Sequence, residues 1–350
     1  MRRFESTPSR LWPVALLAAT LGGCGGPSLE VLDVAPGTTD LPAPSEYLSA
    51  AGDQLLLGGE PFRFLGLNAF TLTGCGNPDE LFDAAALDEF FASLRPHSLV
   101  RTYAFQTQDV AAIDAVIQAA ARHQQLLNLV LADANGSCGD AGIDKDEAWF
   151  AGGFRSGYLP WVRELVAREK AQPSVGMWEL VSSPVNIRVE TLRAFYDEVG
   201  AVVHQLAPHH LVSSGTHGVW AYGGVDGYAH VHESPGIDVA DFRDYEQEPG
   251  APPNLQGALD ALGGSKPLIL AEAGVFASPD GDASQMLEGR VCLSWNDRRD
   301  VLASWIEAAF QTPLAGIDIW NYLPVRRETC EYSTHRSDPL FALVHDAPLP

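Results

Sequence analysis

The side chains able to do chemistry in this chain stand where short β-rich runs end. Asn68 closes FRFLGLN (62–68), Arg101 lies in SLVRTYAF (98–105) and Asp133 closes LLNLVLAD (126–133). Ser182 and Ser183 follow VGMWELV (175–181), and His217 follows HLVSSG (210–215). Arg243 and Tyr245 end IDVADFRDY (237–245), Glu272 sits late in PLILAEAG (267–274), and Trp320 belongs to AGIDIWNY (315–322). A glutamate after an apolar run has a polar purpose, in chemistry or as a hydrogen-bonded structural carboxylate. Aromatic faces stack on sugar rings, while carboxylates and amides bind hydroxyls, so this set suits a carbohydrate site.

The elements that must position these groups follow from periodicity. The eight runs alternate with stretches whose apolar residues recur three and four apart, clearest over 81–94, 110–123 and 192–206. Asp79 and Asp109 mark helix starts, and Pro208 follows a helix end. Strand–helix alternation of this kind predicts a single (β/α)8 TIM barrel, whose active-site side chains project from the C-terminal strand ends. An N-terminal β-hairpin, 54–57 with 62–67 around Gly58-Gly59-Glu60-Pro61, is expected to cover the barrel's bottom.

Five segments then resemble glycoside hydrolase family 5, in its mannanase-like branch, in the right order. They are GGEPFRFLGLNAF, HSLVRTYAF, SVGMWELVSSPVN, KPLILAEAGV and GIDIWNY. APHHLVSSGTHGVW, SPGIDVADFRDYEQEP and DPLFALVHDA extend the likeness over most of residues 50–348. The resemblance implies a retaining β-glycosidase acting on β-1,4-linked mannan or a related glycan, with Glu272 as nucleophile. Asn68, Arg101, Ser182, His217, Arg243, Tyr245 and Trp320 become the implied substrate-binding residues, with Trp320 as the floor of the sugar site. Retaining enzymes hold two carboxyl groups roughly 5–5.5 Å apart, one attacking the sugar while the other donates and then removes a proton.

The departures from that pattern are as informative as the matches. The branch reads W-E-L-x-N-E-P where this chain has W-E-L-V-S-S-P, so Ser182 replaces the asparagine and Ser183 replaces the acid/base glutamate. A serine hydroxyl neither donates a proton usefully near neutral pH nor activates water, and losing a general acid typically removes 10²–10⁴-fold in rate. Arg243 stands where the branch usually has histidine, directed either at Glu272 or outward into a surface salt bridge. A displaced acid could come from Asp133, His217, Glu233, Asp244 or Glu246, while Glu179 reads as a structural barrel carboxylate. Trp220, Tyr222 and Tyr228 either stack on sugars or pack the rim; Trp149, Phe150, Phe154 and Trp161 read as core.

Composition sets the surroundings. Arg2, Arg3 and Arg10 precede an eleven-residue apolar run (11–21), too short for a membrane span and fitting a signal peptide. Leu21-Gly22-Gly23-Cys24 resembles a bacterial lipobox, so residues 1–24 are expected to be a lipoprotein leader with lipidation at Cys24. Residues 25–48 read as a flexible linker and 49–350 as the barrel. The expected location is the bacterial cell envelope, on the outer membrane in a diderm since no Asp follows Cys24. The formal charge of −23, spread over a chain with only 22 Lys and Arg, argues against nucleic acid as a partner. Cys75, Cys138, Cys292 and Cys330 suggest two disulfides among three connectivities, with chain proximity favouring Cys75–Cys138 and Cys292–Cys330. No Cys/His spacing supports a metal, no phosphate loop or serine-hydrolase elbow is present, and neither cofactor nor oligomer is expected. The expected partner is an oligo- or polysaccharide. The readings left are a catalytically impaired glycosidase, a non-catalytic glycan-binding surface lipoprotein, and, less favoured, a structural role without sugar.

Overall fold

Successive side chains of a strand point to opposite faces, and in this chain the alternation separates a barrel interior from a helix-covered exterior. A computed structural model describes residues 41–136, 138 and 145–349; the expected leader 1–24 with Cys24, and residues 25–40 of the expected linker, lie outside them. The described chain opens with three antiparallel strands, β1 (Leu48–Ala51), β2 (Gln54–Leu57) and β3 (Glu60–Phe62). β2 and β3 form the expected hairpin, and Gly58 and Gly59 between them adopt φ of 64° and 85°, a conformation glycine takes at no steric cost. Two expectations are corrected. The run 62–67 is no single hairpin strand: it breaks at Arg63, whose guanidinium donates to the carbonyls of Phe310 and Thr312, and its remainder enters the barrel. Order also begins before residue 49, because Tyr47 is buried against His209 and His210 and Leu48 opens β1.

Eight parallel strands follow, each separated from the next by helix. They are β4 (Phe64–Asn68), β5 (Leu99–Tyr103), β6 (Leu126–Val130), β7 (Val175–Glu179), β8 (Leu211–Ser213), β9 (Ala240–Asp244) and β10 (Leu268–Ala273), then, after an excursion of β11 (Ala277–Ser278), β12 (Asp282–Leu287) and β13 (Arg290–Ser294), β14 (Gly316–Ile319). The order β8-β7-β6-β5-β4-β14-β10-β9 is closed by a parallel bridge between Ser213 and Val239. This is a (β/α)8 barrel, with every predicted strand in place. Among the covering helices, α1 (Ala84–Ala92) is capped by Asp83, which accepts from the Ala86 N–H. The predicted Asp79 instead sits in a separate one-turn segment, because Pro78 and Asn77 start a short 3-10 turn there. α2 (Val110–Arg122) is capped by Asp109 as expected.

Leu48 and Leu55 of the N-terminal sheet pack on Phe64, Leu99, Leu126, Leu211 and Ile269, all at or near strand starts. That apolar plug closes one end of the barrel and leaves the C-terminal strand ends as the mouth. The excursion β11–β13 was not foreseen in the sequence. It rises beside the mouth and is tied to the segment after β14 by Cys292–Cys330, while Cys75–Cys138 joins the loops after β4 and β6; Cα separations are 5.8 and 5.2 Å. Both pairings are those chain proximity favoured. No helix among the described residues is long and apolar enough to cross a membrane.

Gly66 faces inward on β4, where an added Cβ would lie 1.8 Å from the Leu99 carbonyl oxygen and 2.3 Å from Asp318 Oδ1. Gly66→Ala must therefore push β4 away from β5. We expect a loss of about 3 kcal/mol or more in urea denaturation; an unchanged midpoint would show that the barrel is looser here than its geometry implies.

Candidate active site

Strand phase decides which side chains reach the mouth. Ile269 and Ala271 of β10 pack into the barrel floor, so simple alternation would send Glu272 outward into the helix layer. The register of β10 against β9 shifts between Leu270 and Glu272, and against β14 between Leu270 and Ala273. This bulge turns Glu272 inward and Ala273 onto the helices. Arg101 on β5, Glu179 on β7 and Arg243 on β9 reach the interior by ordinary alternation.

These four charges form one buried cluster. The Arg101 guanidinium donates to both oxygens of Glu179 at 2.6 Å, and its Nη1 donates to Asn68 Oδ1 at 2.7 Å and Glu272 Oε1 at 2.9 Å. Arg243 Nη2 donates to Glu179 Oε1 at 3.3 Å, and Arg243 Nη1 lies 3.2 Å from Glu272 Oε1. Asn128 adds an amide donor to Glu179 at 3.2 Å. Residue exposures run from 0 to 4 %, so water can do little to stabilise a charge left alone. The open question about Arg243 is thus answered: it points inward. Glu179 is wholly buried beneath it, as its place deeper in the strand implied.

The segment after β7 meets this cluster. Arg243 Nη1 donates to Ser183 Oγ, and Nη2 donates to Ser182 Oγ at 3.1 Å and to the Gly215 carbonyl at 3.2 Å. That carbonyl also accepts the Ser183 N–H at 2.9 Å. Ser183 holds a left-handed backbone, φ 59°, immediately before Pro184, where an L-residue is doubly disfavoured. Tyr245 donates its hydroxyl to Glu272 Oε2, so both oxygens of that carboxylate are occupied, by donors from Arg101, Arg243 and Tyr245. Trp320 is half-buried and stacked on Phe70, with ring centroids 5.6 Å apart.

Two of the expected ligand residues are engaged by the scaffold in this geometry. Asn68 spends both ends of its amide on the scaffold, accepting from Arg101 and donating to the Ala271 carbonyl at 2.8 Å. Arg101 is 1 % exposed with all three guanidinium nitrogens engaged, so it positions carboxylates beneath the opening. The proposed acid substitutes are also committed elsewhere. Glu233 pairs with Arg193 at 2.7 Å, Glu246 with Arg290 at 2.6 Å, and buried Asp244 accepts from the Asn254 N–H at 2.9 Å. Burial, reinforced by Arg243 and Arg101, pushes the His217 imidazole down to about 3, leaving it neutral near neutral pH and without a proton to give. Asp133 is buried at the end of the third barrel strand, its backbone bridged to Ser182.

Some buried polar groups were missed. Asp241 accepts from the Ser214 hydroxyl and from the Gly215 and Thr216 N–H groups, anchoring the turn that carries the Gly215 carbonyl; burial, then Glu179, lifts its carboxyl to about 6. His232 also contacts Ser214, at 3.0 Å, but its other nitrogen meets the Tyr228 carbonyl and burial holds it at about 3, so this is a scaffold network and not a nucleophile–base pair. Asp318 meets no hydrogen-bond partner among the described residues, and burial raises its carboxyl well above the usual range. Alternation could have found both, since each lies two residues before an inward-facing group. Tyr222 and Tyr228 are buried, as are Trp149, Phe150, Phe154 and Trp161, whereas Trp220 is exposed. No cluster of three or more His, Cys, Asp or Glu suited to a metal occurs among the described residues.

No family model matches the chain. It is similar to probable mannan endo-1,4-beta-mannosidase C of Aspergillus terreus, 28% identical over 172 residues, which are 40% of this chain and 42% of the relative. It is also similar to mannan endo-1,4-beta-mannosidase 8 of Oryza sativa subsp. japonica, 26% identical over 255 residues, 57% of this chain and 68% of that one. The likeness thus spans less than half the length of the first relative and about two thirds of the second. Among solved structures, the endo-1,4-beta-mannanase from Rhizomucor miehei aligns with a TM-score of 0.68 at 18% identity, over 85% of this chain and 97% of that chain. The barrel has the mannanase fold.

The charge cluster predicts a stability effect independent of any ligand. Glu179→Gln leaves Arg101 with one carboxylate where it had two and should cost about 3–5 kcal/mol in chemical denaturation. A cost below ~1 kcal/mol would mean that the guanidiniums find other partners.

Proposed function

We propose that this chain is a mannanase-like glycosidase barrel of the family 5 type that binds a β-1,4-linked mannan or related glycan and hydrolyses it poorly or not at all. One observation carries the reading: the place opposite Glu272 is filled by the Ser183 hydroxyl and the Arg243 guanidinium that contacts it. Double displacement needs Glu272 to attack the anomeric carbon while a second carboxyl group protonates the departing oxygen and later deprotonates water. Ser183 does neither. Arg243 carries no proton it can release near neutral pH. Its contact with Glu272, added to those of Arg101 and Tyr245, also stabilises the resting carboxylate and must weaken before an ester can form.

The rest of the site supports sugar recognition. In this reading Trp320 stacks under the ring, Tyr245 orients Glu272, and His217 offers a polar edge, while buried Ser182 and Ser183 hold Arg243 beneath the sugar. Asn68 and Arg101 act from below as positioning residues. Envelope attachment through lipidated Cys24, and action as a monomer, are part of the same proposal. The retained nucleophile geometry favours a second outcome, slow chemistry on substrates whose leaving group needs no proton.

The test is kinetic. The wild-type chain should bind manno-oligosaccharides and leave mannan intact. An aryl β-mannoside with a very good leaving group should react slowly, and azide should raise turnover, because an activated leaving group needs no acid and azide needs no base. Ser183→Glu alone should restore little, since the new carboxylate meets Arg243 and is held ionised. Ser183→Glu combined with Arg243→His should raise mannan hydrolysis by about 10²-fold or more. Ready cleavage of plain mannan by the wild type would overturn the proposal.

A further inference from the structure

We infer that Trp220 is a second sugar-stacking platform, so that the glycan held at the mouth is a chain lying across it between Trp320 and Trp220. This rests on the glycan-binding reading above and deepens it, by naming the side chain that holds a second stretch of the glycan. Trp220 is 63 % exposed, the most exposed of the large hydrophobic side chains among the described residues. It stands in the one-turn helix Val219–Tyr222 that follows β8.

That turn is fixed to the site. Val219 and Ala221, on either side of the tryptophan, pack against the core. Tyr222 is buried, and its hydroxyl donates to the Pro184 carbonyl and accepts the His217 N–H, both at 3.0 Å. Pro184 adjoins Ser183, so the turn is pinned to the segment facing Glu272. The indole itself is backed by the His217 ring, with centroids 5.6 Å apart. It also lies close over Gly218, where an added Cβ would come within 3.1 Å of Trp220 Cδ1. A tryptophan held from behind yet largely open to water keeps an apolar face exposed, which the C–H face of a sugar would cover.

The partner platform lies across the barrel. β14, which leads into Trp320, stands three strands from β8, which leads into the turn carrying Trp220, with β10 and β9 between them in a ring of eight. Trp320 rests on Phe70, at the end of β4, and Trp220 is tied to the far rim. The two indoles therefore stand on either side of Glu272, whose strand β10 lies between theirs, and a single sugar on Trp320 leaves Trp220 bare.

Calorimetric titration of the full chain with β-1,4-manno-oligosaccharides of one to six units tests this. Wild-type affinity should tighten with length. Trp220→Ala should remove the later part of that gain, weakening the longest ligand about tenfold and leaving the shortest binder unchanged, with Trp220→Phe retaining most of it. Trp320→Ala should weaken every length. Wild-type affinities at all lengths in Trp220→Ala would overturn the platform alone. A wild-type chain that binds no oligosaccharide, while folded by circular dichroism, would sink the glycan reading and the platform with it.

Discussion

Arg101 is the group on which the mouth of this barrel depends. Its guanidinium is buried and receives no help from water, so its placement rests on two carboxylates and one amide oxygen from three different strands. A cation in that setting is costly unless all its partners arrive together. Once they do, Glu179 is fixed by its bidentate contact and Glu272 by a shared one. Asn68, held in turn by the Ala271 carbonyl, links the first strand to the seventh. The orientation of the glutamate at the site follows from the charge balance beneath it.

Arg243 changes what that balance can do. With a neutral side chain there, Glu272 would share one cation; with arginine it meets two, and the hydroxyls of Ser182 and Ser183 serve as acceptors for the second. The side chains at 182, 183 and 243 are mutually consistent: each provides or satisfies a hydrogen bond of the others. The left-handed backbone at Ser183 persists beside them although serine has no special liking for it. It is held by the Gly215 carbonyl, and Gly215 in turn has no room for a side chain, since a Cβ would lie 1.9 Å from the Val181 carbonyl oxygen.

Much of this could be read from residue order. The eight barrel strands, the helix pattern and the disulfide pairing followed from periodicity and proximity, because strand ends and the mouth coincide in this fold. Glu272 was legible as a strand-end group from its place late in its run, but not how it turns inward, for the bulge that rotates it is a register event with no signature in the residues themselves. The direction of Arg243 was undetermined, since a strand-end arginine satisfies itself inside or outside according to partners contributed by other strands. Asp241 and Asp318 were overlooked although strand alternation marks them, since each stands two residues before an inward-facing group, Arg243 and Trp320. The excursion β11–β13 was missed for a plainer reason: its exposed strand β12 carries no alternating pattern, and its position depends on Cys292 and on the pairing of Gln247 with Val291.

The four buried charges divide evenly along the chain. Arg101 and Glu179 belong to barrel strands one to four, Arg243 and Glu272 to strands five to eight. Each half-barrel thus brings one arginine and one glutamate of the cluster, already in contact with each other, and the contacts Arg101–Glu272 and Arg243–Glu179 form only when the halves meet. Polar recognition across the seam thus comes in addition to apolar packing.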